Sequence, residues 1–297
     1  MESHVHTLYK STHYQIRNYQ CGCTECSISK KEHAQDFCII FVRSGFYEQR
    51  VFRQQNEMHV GRVLVSKPEI EFTIRHVHNQ PDLCTSFRFN SSFYGQVVEK
   101  FSKEGKWFFT NPDLQSLLLS SNATLEFMHQ QILLAIGNRS ALEIDTIVIS
   151  LLENVMHRMS NGNALKPIPE SLRKHHLSTV EKAKDFLLHN FTKEVSLSTL
   201  ADHCCVSMFH LSRIFKSILT ISPHQYLTEL RLSHARLLLR STNVQITQVA
   251  FQSGFNSLEH FVTTYRQRFG GSPSSERDGN RLTIKIANET KFFTHGA

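Results

Sequence analysis

Three thiols crowd into one short stretch, Cys21-Gly-Cys23-Thr-Glu-Cys26. Thiolates at that spacing can wrap a zinc ion if Cys38, Cys84, His76 or His78 completes the four ligands. No second clean Cys-x-x-Cys pair follows, so Cys21, Cys23 and Cys26 are expected to be ordinary reduced cysteines, with a metal or thiol sensor as the alternative. His76-Val-His78 offers two imidazoles, but the neighbouring strands supply no further His or Glu at ligand spacing. His76 therefore reads as a polar pocket or strand residue. A Gly-x-Ser-x-Gly elbow, a phosphate-cradling Gly-x-x-x-x-Gly-Lys loop and a paired catalytic signature are all absent from the sequence. The expectation is a protein that is not an enzyme and carries no cofactor.

The elements that would position any such residues belong to a chain of 297 residues, 40% apolar and 20% charged, which is enough for about two ordinary domains with filled cores. Its longest uninterrupted apolar run, residues 37–42, is far shorter than the roughly 20 residues of a membrane helix. The first residues have neither a basic start nor an apolar region of the kind that marks secretion. Seven cysteines, including the adjacent Cys204 and Cys205, fit reduced thiols in a cytoplasm better than a disulfide framework. The formal net charge of +7 is unevenly placed: residues 1–165 hold 16 Lys+Arg and 16 Asp+Glu, whereas residues 166–297 hold 17 and 10. A neutral half joined to a basic half points to a polyanion-binding part attached to a part with another task.

From residue 36 to residue 90, short runs rich in Val, Ile, Phe and Thr alternate with turn residues such as Arg43-Ser-Gly45 and Lys67-Pro68, which predicts an antiparallel barrel or sandwich. Apolar residues three and four apart predict an amphipathic helix over residues 113–136 (Leu114, Leu117, Leu118, Leu125, Met128, Ile132) and another over residues 141–159. Their stripes would either close the barrel or form a dimer interface. Two prolines, a glycine and two asparagines within residues 160–169 read as a linker. Ser178-Thr-Val-Glu181 is a capping-box spelling that predicts a helix start. The expected division is thus residues 1–160, a linker 161–177, a helical domain 178–277, and a tail 278–297 with a possible strand at residues 282–286.

The basic half repeats itself. Leu200-Ala201 recurs as Val249-Ala250; after one extra residue, Leu211, Phe215, Lys216 and Ser222-Pro223 recur fifty positions on as Phe261, Tyr265, Arg266 and Ser272-Pro273. Each copy reads as a short helix, a tight turn and a helix of about three turns, the helix-turn-helix whose second helix can enter a DNA major groove. Gly254 suits such a turn, whereas the first copy has Cys205 there and its turn is expected to differ. A helix from Pro223 to about Ser241 would be roughly 28 Å long, close to the roughly 34 Å between successive major-groove faces.

Leu200-Ala201, Val206-Ser207, Leu211-Ser-Arg-Ile-Phe-Lys216, Ser222-Pro223, Ile246-Thr-Gln-Val-Ala250, Gly254-Phe255 and Phe269-Gly-Gly-Ser-Pro273 resemble the double helix-turn-helix domain of the AraC/XylS family of bacterial transcription regulators. The resemblance implies an α+β chain: an N-terminal cupin-like β-barrel with a helical pair for sensing or dimerisation, and a C-terminal all-α double helix-turn-helix. It implies base contacts by Phe209, Ser212 and Arg213 in the first copy and by Leu258, Glu259, Val262 and Thr263 in the second. Arg213 has the guanidinium that can pair with guanine O6 and N7. Lys216, Arg266 and Arg268 would meet phosphates, positioning without reading sequence. Leu211, Ile214, Phe215, Phe261 and Tyr265 would face the core. The second copy departs from the family, with Thr263 where arginine is common and the acidic Glu259 beside it, so the first copy is expected to contribute more affinity. Partners implied are double-stranded DNA, RNA polymerase, an unidentified small-molecule effector and a second copy of the chain, with no membrane. A metal-dependent cupin enzyme with a DNA-binding module is the alternative from another class.

Overall fold

The computed structural model describes residues 3–21, 28–76, 81–159 and 169–278. The N-terminal half is built on two antiparallel sheets. Strands β1 (Ser3–Lys10), β2 (Tyr14–Cys21), β4 (Phe37–Ser44), β7 (Arg62–Ser66), β9 (Leu83–Phe89) and β10 (Ser116–Ser120) form a six-stranded sheet in the order β1-β2-β9-β4-β7-β10. Strands β3 (Glu32–Ala34), β5 (Tyr47–Val51), β6 (Gln54–Met58) and β8 (Ile70–His76) form a four-stranded sheet in the order β3-β8-β5-β6. The sheets face one another without closing into a single hydrogen-bonded ring, so the cupin-like barrel is open.

The apolar run at residues 37–42 lies at the centre of this arrangement because β4 is buried on both faces, as a continuous rather than alternating run requires. Phe37, Ile39 and Phe41 point into the core beneath the six-stranded sheet. Ile40 and Val42 point the other way, between the sheets, with Tyr47, Met58, Leu64 and Cys84. The first core is closed by α1 (Ser91–Lys100), the short α2 (Lys106–Phe109), α3 (Ala123–Ala135) and α4 (Ala141–Met159), through Val97, Phe108, Leu125, Ile132, Val148, Leu151 and Val155. The amphipathic stripes therefore cover the sheet, and α3 turns into α4 through Gly137 at φ 84°.

Residues 113–136 are not one helix. Ser116-Leu-Leu-Leu-Ser120 is strand β10, paired antiparallel with β7 from Ser116 opposite Ser66 to Ser120 opposite Arg62. A three-leucine run is too short for periodicity to distinguish strand from helix, and the open edge of β7 supplies the backbone partners that decide it. The helix begins after Asn122, whose side chain accepts from Leu125 N at 2.9 Å.

The C-terminal half holds α5 (Glu170–Asn190), α6 (Leu197–His203), α7 (Met208–Leu219), α8 (Pro223–Ser241), α9 (Ile246–Gln252) and α10 (Leu258–Phe269), and residues 273–278 are again helical. Helix α5 starts eight residues before the expected Ser178, so 170–177 belongs to a helix and not to a linker. Pro169 occupies the N-cap position and Leu177 and Val180 are both buried, so tertiary packing extends the helix through the capping-box spelling. Residues 160–168 and 279–297, the latter including the possible strand at 282–286, lie outside the described residues. Among the described residues no helix is long and apolar enough to cross a membrane.

The two halves meet on α5, α7 and α8. Phe46, Val60, Ala123 and Phe127 share one buried cluster with Leu177, Val180, Leu187, Leu219 and Tyr226. Polar contacts lock the same seam. Lys184 Nζ lies 2.8 Å from Glu126 Oε1 with both side chains 6% exposed, and Ser121 Oγ donates to that oxygen at 2.6 Å. Gly45 N donates to Glu181 Oε1 at 2.9 Å, and Ser233 Oγ to Thr124 Oγ1 at 3.1 Å.

Candidate nucleic-acid interface

The internal repeat holds down to individual hydrogen bonds. In the first copy Cys204 N donates to Leu200 O at 3.1 Å, Cys205 N to Asp202 O at 3.0 Å and Val206 N to Ala201 O at 3.1 Å. In the second, Ser253 N donates to Val249 O at 3.0 Å, Gly254 N to Phe251 O at 2.9 Å and Phe255 N to Ala250 O at 3.0 Å. Cys205 adopts φ 56° and Gly254 φ 86°, so the expectation of a different first turn is corrected: cysteine is held in the left-handed conformation that glycine takes freely. Glycine is needed in the second turn for a further reason, since a Cβ on Gly254 would lie 2.6 Å from Phe191 O.

Both long helices then start the same way. Ser207 Oγ accepts from His210 N at 3.3 Å and Ser257 Oγ from His260 N at 3.2 Å. Both end on a left-handed residue, Thr220 at φ 67° and Gly270 at φ 74°. Leu211, Ile214 and Phe215 of α7, and Phe261 and Tyr265 of α10, are buried. With that stripe facing inward, the opposite face of each helix is presented to solvent.

On α7 that outward face carries Phe209, 88% exposed, together with exposed Arg213 and Lys216 and half-buried Ser212. Arg213 Nη2 lies 3.4 Å from His210 Nδ1. On α10 it carries exposed Leu258, Glu259, Thr263 and Arg266, and half-buried Val262, which also packs against the local core. Glu259 stands in the first turn of α10, where a carboxylate is favoured by the helix dipole whatever it meets outside. Arg268 is engaged otherwise: its Nε lies 2.7 Å from Glu229 on α8. The fifty-residue register also exposes an omission. Met208, 45% exposed, holds in α7 the place that Leu258, implied by the resemblance, holds in α10, and the fifty-residue offset could have found it.

Helix α8 joins the two units. Its 19 residues make a rod of roughly 28 Å. Ser222 and Gln225 form a reciprocal capping box at its start, with Pro223 in the first turn. At its far end Arg236 and Arg240 hold Glu276 at 3.0 and 2.6 Å, tying the segment after α10 back onto the rod.

Residues 200–279 match a family described as a helix-turn-helix domain. Over 132 residues the chain is 36% identical to the HTH-type transcriptional regulator ArgR of Pseudomonas aeruginosa, a match spanning 43% of this chain and 40% of that protein. Over 100 residues it is 37% identical to the HTH-type transcriptional activator RhaS of Enterobacter sp., spanning 34% of this chain and 36% of that protein. The chain thus spans less than half the length of these two curated relatives. Residues 200–279 are thus a helix-turn-helix domain similar to those of these two regulators. Among solved structures, ToxT of Vibrio cholerae aligns over 89% of this chain and 97% of its own at 14% identity, with a TM-score of 0.39. The C-terminal domain of AraT from Geobacillus stearothermophilus aligns over 34% and 84% at 30% identity, with a TM-score of 0.33.

The helix-turn-helix domain contains none of the candidate metal ligands, which lie in the N-terminal half. Cys23, Cys26 and His78 lie outside the described residues. Cys38 and Cys84 are buried, and burial pushes the Cys38 thiol up to about 11 and the Cys84 thiol still higher, which keeps both protonated. Cys21 is buried at the end of β2, where its donor atom lies close to those of His76 and Asp82. Asp82 was absent from the sequence-based ligand set, because an aspartate in a turn before a strand has no spacing signature.

Proposed function

We propose that the protein is a sequence-specific, DNA-binding transcription regulator of the AraC type, acting in the bacterial cytoplasm on double-stranded DNA and, at promoters, with RNA polymerase. The carrying observation is the twofold repetition of turn, cap and outward helix face on a rod of about one DNA turn. Phe209, Ser212, Arg213, Leu258, Glu259, Val262 and Thr263 are the base-reading set. Lys216 and Arg266 are the phosphate contacts. Residues 1–160 form the sensing and dimerising part and residues from Glu170 onward the DNA-binding part. Because α5, α7 and α8 all pack against the N-terminal half, an effector with different affinity for two arrangements of that seam would change how the reading helices are presented. No catalytic role is assigned.

Genome-wide mapping of bound DNA tests the reading. The expected result is a set of enriched sites sharing two half-sites about one DNA turn apart. Purified protein should bind them with affinity that falls steeply as salt rises, since neutralised phosphates release counterions. Absence of enriched sites across varied growth conditions, or a flat salt dependence, overturns the proposal.

A further inference from the structure

We infer that Cys21, His76 and Asp82 form a metal site for a single zinc-class ion, clipping the two sheets together at one end of the open barrel. The three candidate donor atoms, one from each residue, all lie within 4.8 Å of one another, and all three residues are buried. They converge from separate elements. Cys21 closes β2 and Asp82 precedes β9, both in the six-stranded sheet, while His76 closes β8 in the four-stranded sheet. Cys21 N donates to Asp82 O at 3.0 Å, fixing two ligands relative to each other. Asp82 Oδ2 stands 2.5 Å from His76 Nδ1, a hydrogen bond that gathers the two side chains and gives way when both bind the ion.

The donor types select the ion. A thiolate with an imidazole and a carboxylate suits a borderline transition ion, whereas magnesium and calcium require oxygen ligands. Zinc bonds of about 2.0 to 2.3 Å at tetrahedral angles separate ligand atoms by about 3.3 to 3.6 Å. Side-chain adjustments on the order of 1 Å bring the triad to that geometry. Binding exchanges the Cys21 thiol proton for the metal–sulfur bond and releases that proton to solvent. Three protein ligands leave a fourth position to be filled, and Cys21, His76 and Asp82 all line a cavity of about 160 Å³ together with Tyr47, Cys84 and Arg88 among others. Pockets for drug-sized organic ligands measure roughly 300–1,000 Å³. This space accepts an ion with its water or a small anion.

The alternative is a His76–Asp82 ion pair that only stabilises the fold, with Cys21 as an inert buried thiol. Metal analysis of the full-length chain separates the two. One equivalent of zinc is expected after dialysis, and replacement by cobalt should give a thiolate-to-cobalt charge-transfer band together with intense tetrahedral d–d absorption. This readout on the unaltered protein does not depend on any variant folding. Cys21→Ser and His76→Gln should each lower zinc affinity by at least tenfold, and Cys204→Ser/Cys205→Ser should leave it unchanged. Less than a tenth of an equivalent of zinc, a cobalt spectrum without the charge-transfer band, or full zinc retention in Cys21→Ser with loss in Cys23→Ser/Cys26→Ser overturns the assignment.

Discussion

Glu181 makes the seam between the halves sensitive to pH. Its carboxyl is largely removed from water against the β4–β5 turn, and this burial raises its pKa from the ordinary 4.5 to about 7, against the lowering pull of the Gly45 N–H and of the Lys184 ammonium. The Lys184 charge is largely committed to Glu126 at 2.8 Å, which limits how far it can offset burial. A carboxyl whose folded pKa is raised contributes most at low pH. Below 4.5 both folded and unfolded chains hold the proton. Between 4.5 and about 7 the folded chain still holds a proton that the unfolded chain has released, so stability falls as pH rises. At about 1.4 kcal/mol per pH unit the loss approaches about 3 kcal/mol and levels off above the folded pKa.

Glu181→Gln removes the titration while keeping an oxygen acceptor for the Gly45 N–H. Urea unfolding of both proteins at intervals from about pH 5 to about pH 8 isolates the effect, because every other titrating group is common to the two. The variants are expected to be nearly equal at the acid end, with the glutamine protein more stable by about 2 to 3 kcal/mol at the alkaline end. Parallel profiles, with a constant difference across the range, would refute the reasoning, as would a difference that shrinks as pH rises.

Three further outcomes follow from the same geometry. Arg213→Ala should weaken operator binding by about 1–3 kcal/mol, and more than Thr263→Ala, in a gel-shift titration; the reverse order would show the second copy to dominate. Gly254→Ala should lower stability by more than about 1 kcal/mol, since φ 86° and the approach to Phe191 O both oppose a Cβ, whereas Cys205→Gly should be neutral or stabilising by up to about 1 kcal/mol; thermal melts of the two variants check this. Glu126→Ala should cost about 3–5 kcal/mol by leaving Lys184 buried without its partner, and Glu126→Leu/Lys184→Met should recover most of that, whereas equal losses in both would show that the charges themselves are required.

What the sequence revealed was local. The fifty-residue offset, the proline that opens α8 and the buried stripe of Leu211, Phe215, Phe261 and Tyr265 are each visible as spacing in the sequence. The two-faced burial of β4 was readable as an uninterrupted apolar run for the same reason. Where local signals were ambiguous, tertiary structure decided: Leu117 and Leu118 joined a strand because β7 had an open edge, and α5 ran back through Ser178 because Leu177 had a place in the core. The turn at Cys205 was misjudged because backbone hydrogen bonds, repeated from the second copy, outweigh the mild preference of cysteine against positive φ.

The features that join the two halves had no spacing signature at all. Glu126 meets Lys184 and Gly45 meets Glu181 across contacts distant in sequence, and neither partner advertises the other. The same holds for Asp82, which enters the candidate metal site by folding beside Cys21 and His76. A Cβ on Gly45 would lie 2.7 Å from the Cα of Asp82, and the amide of that glycine is the one held by Glu181. An ion that pulls Asp82 toward Cys21 would therefore act on a backbone segment already gripped by α5, the helix on which the first helix-turn-helix packs. The link runs through one close-packed glycine, so a larger side chain at Gly45 should disturb the metal site and the α5 contact together.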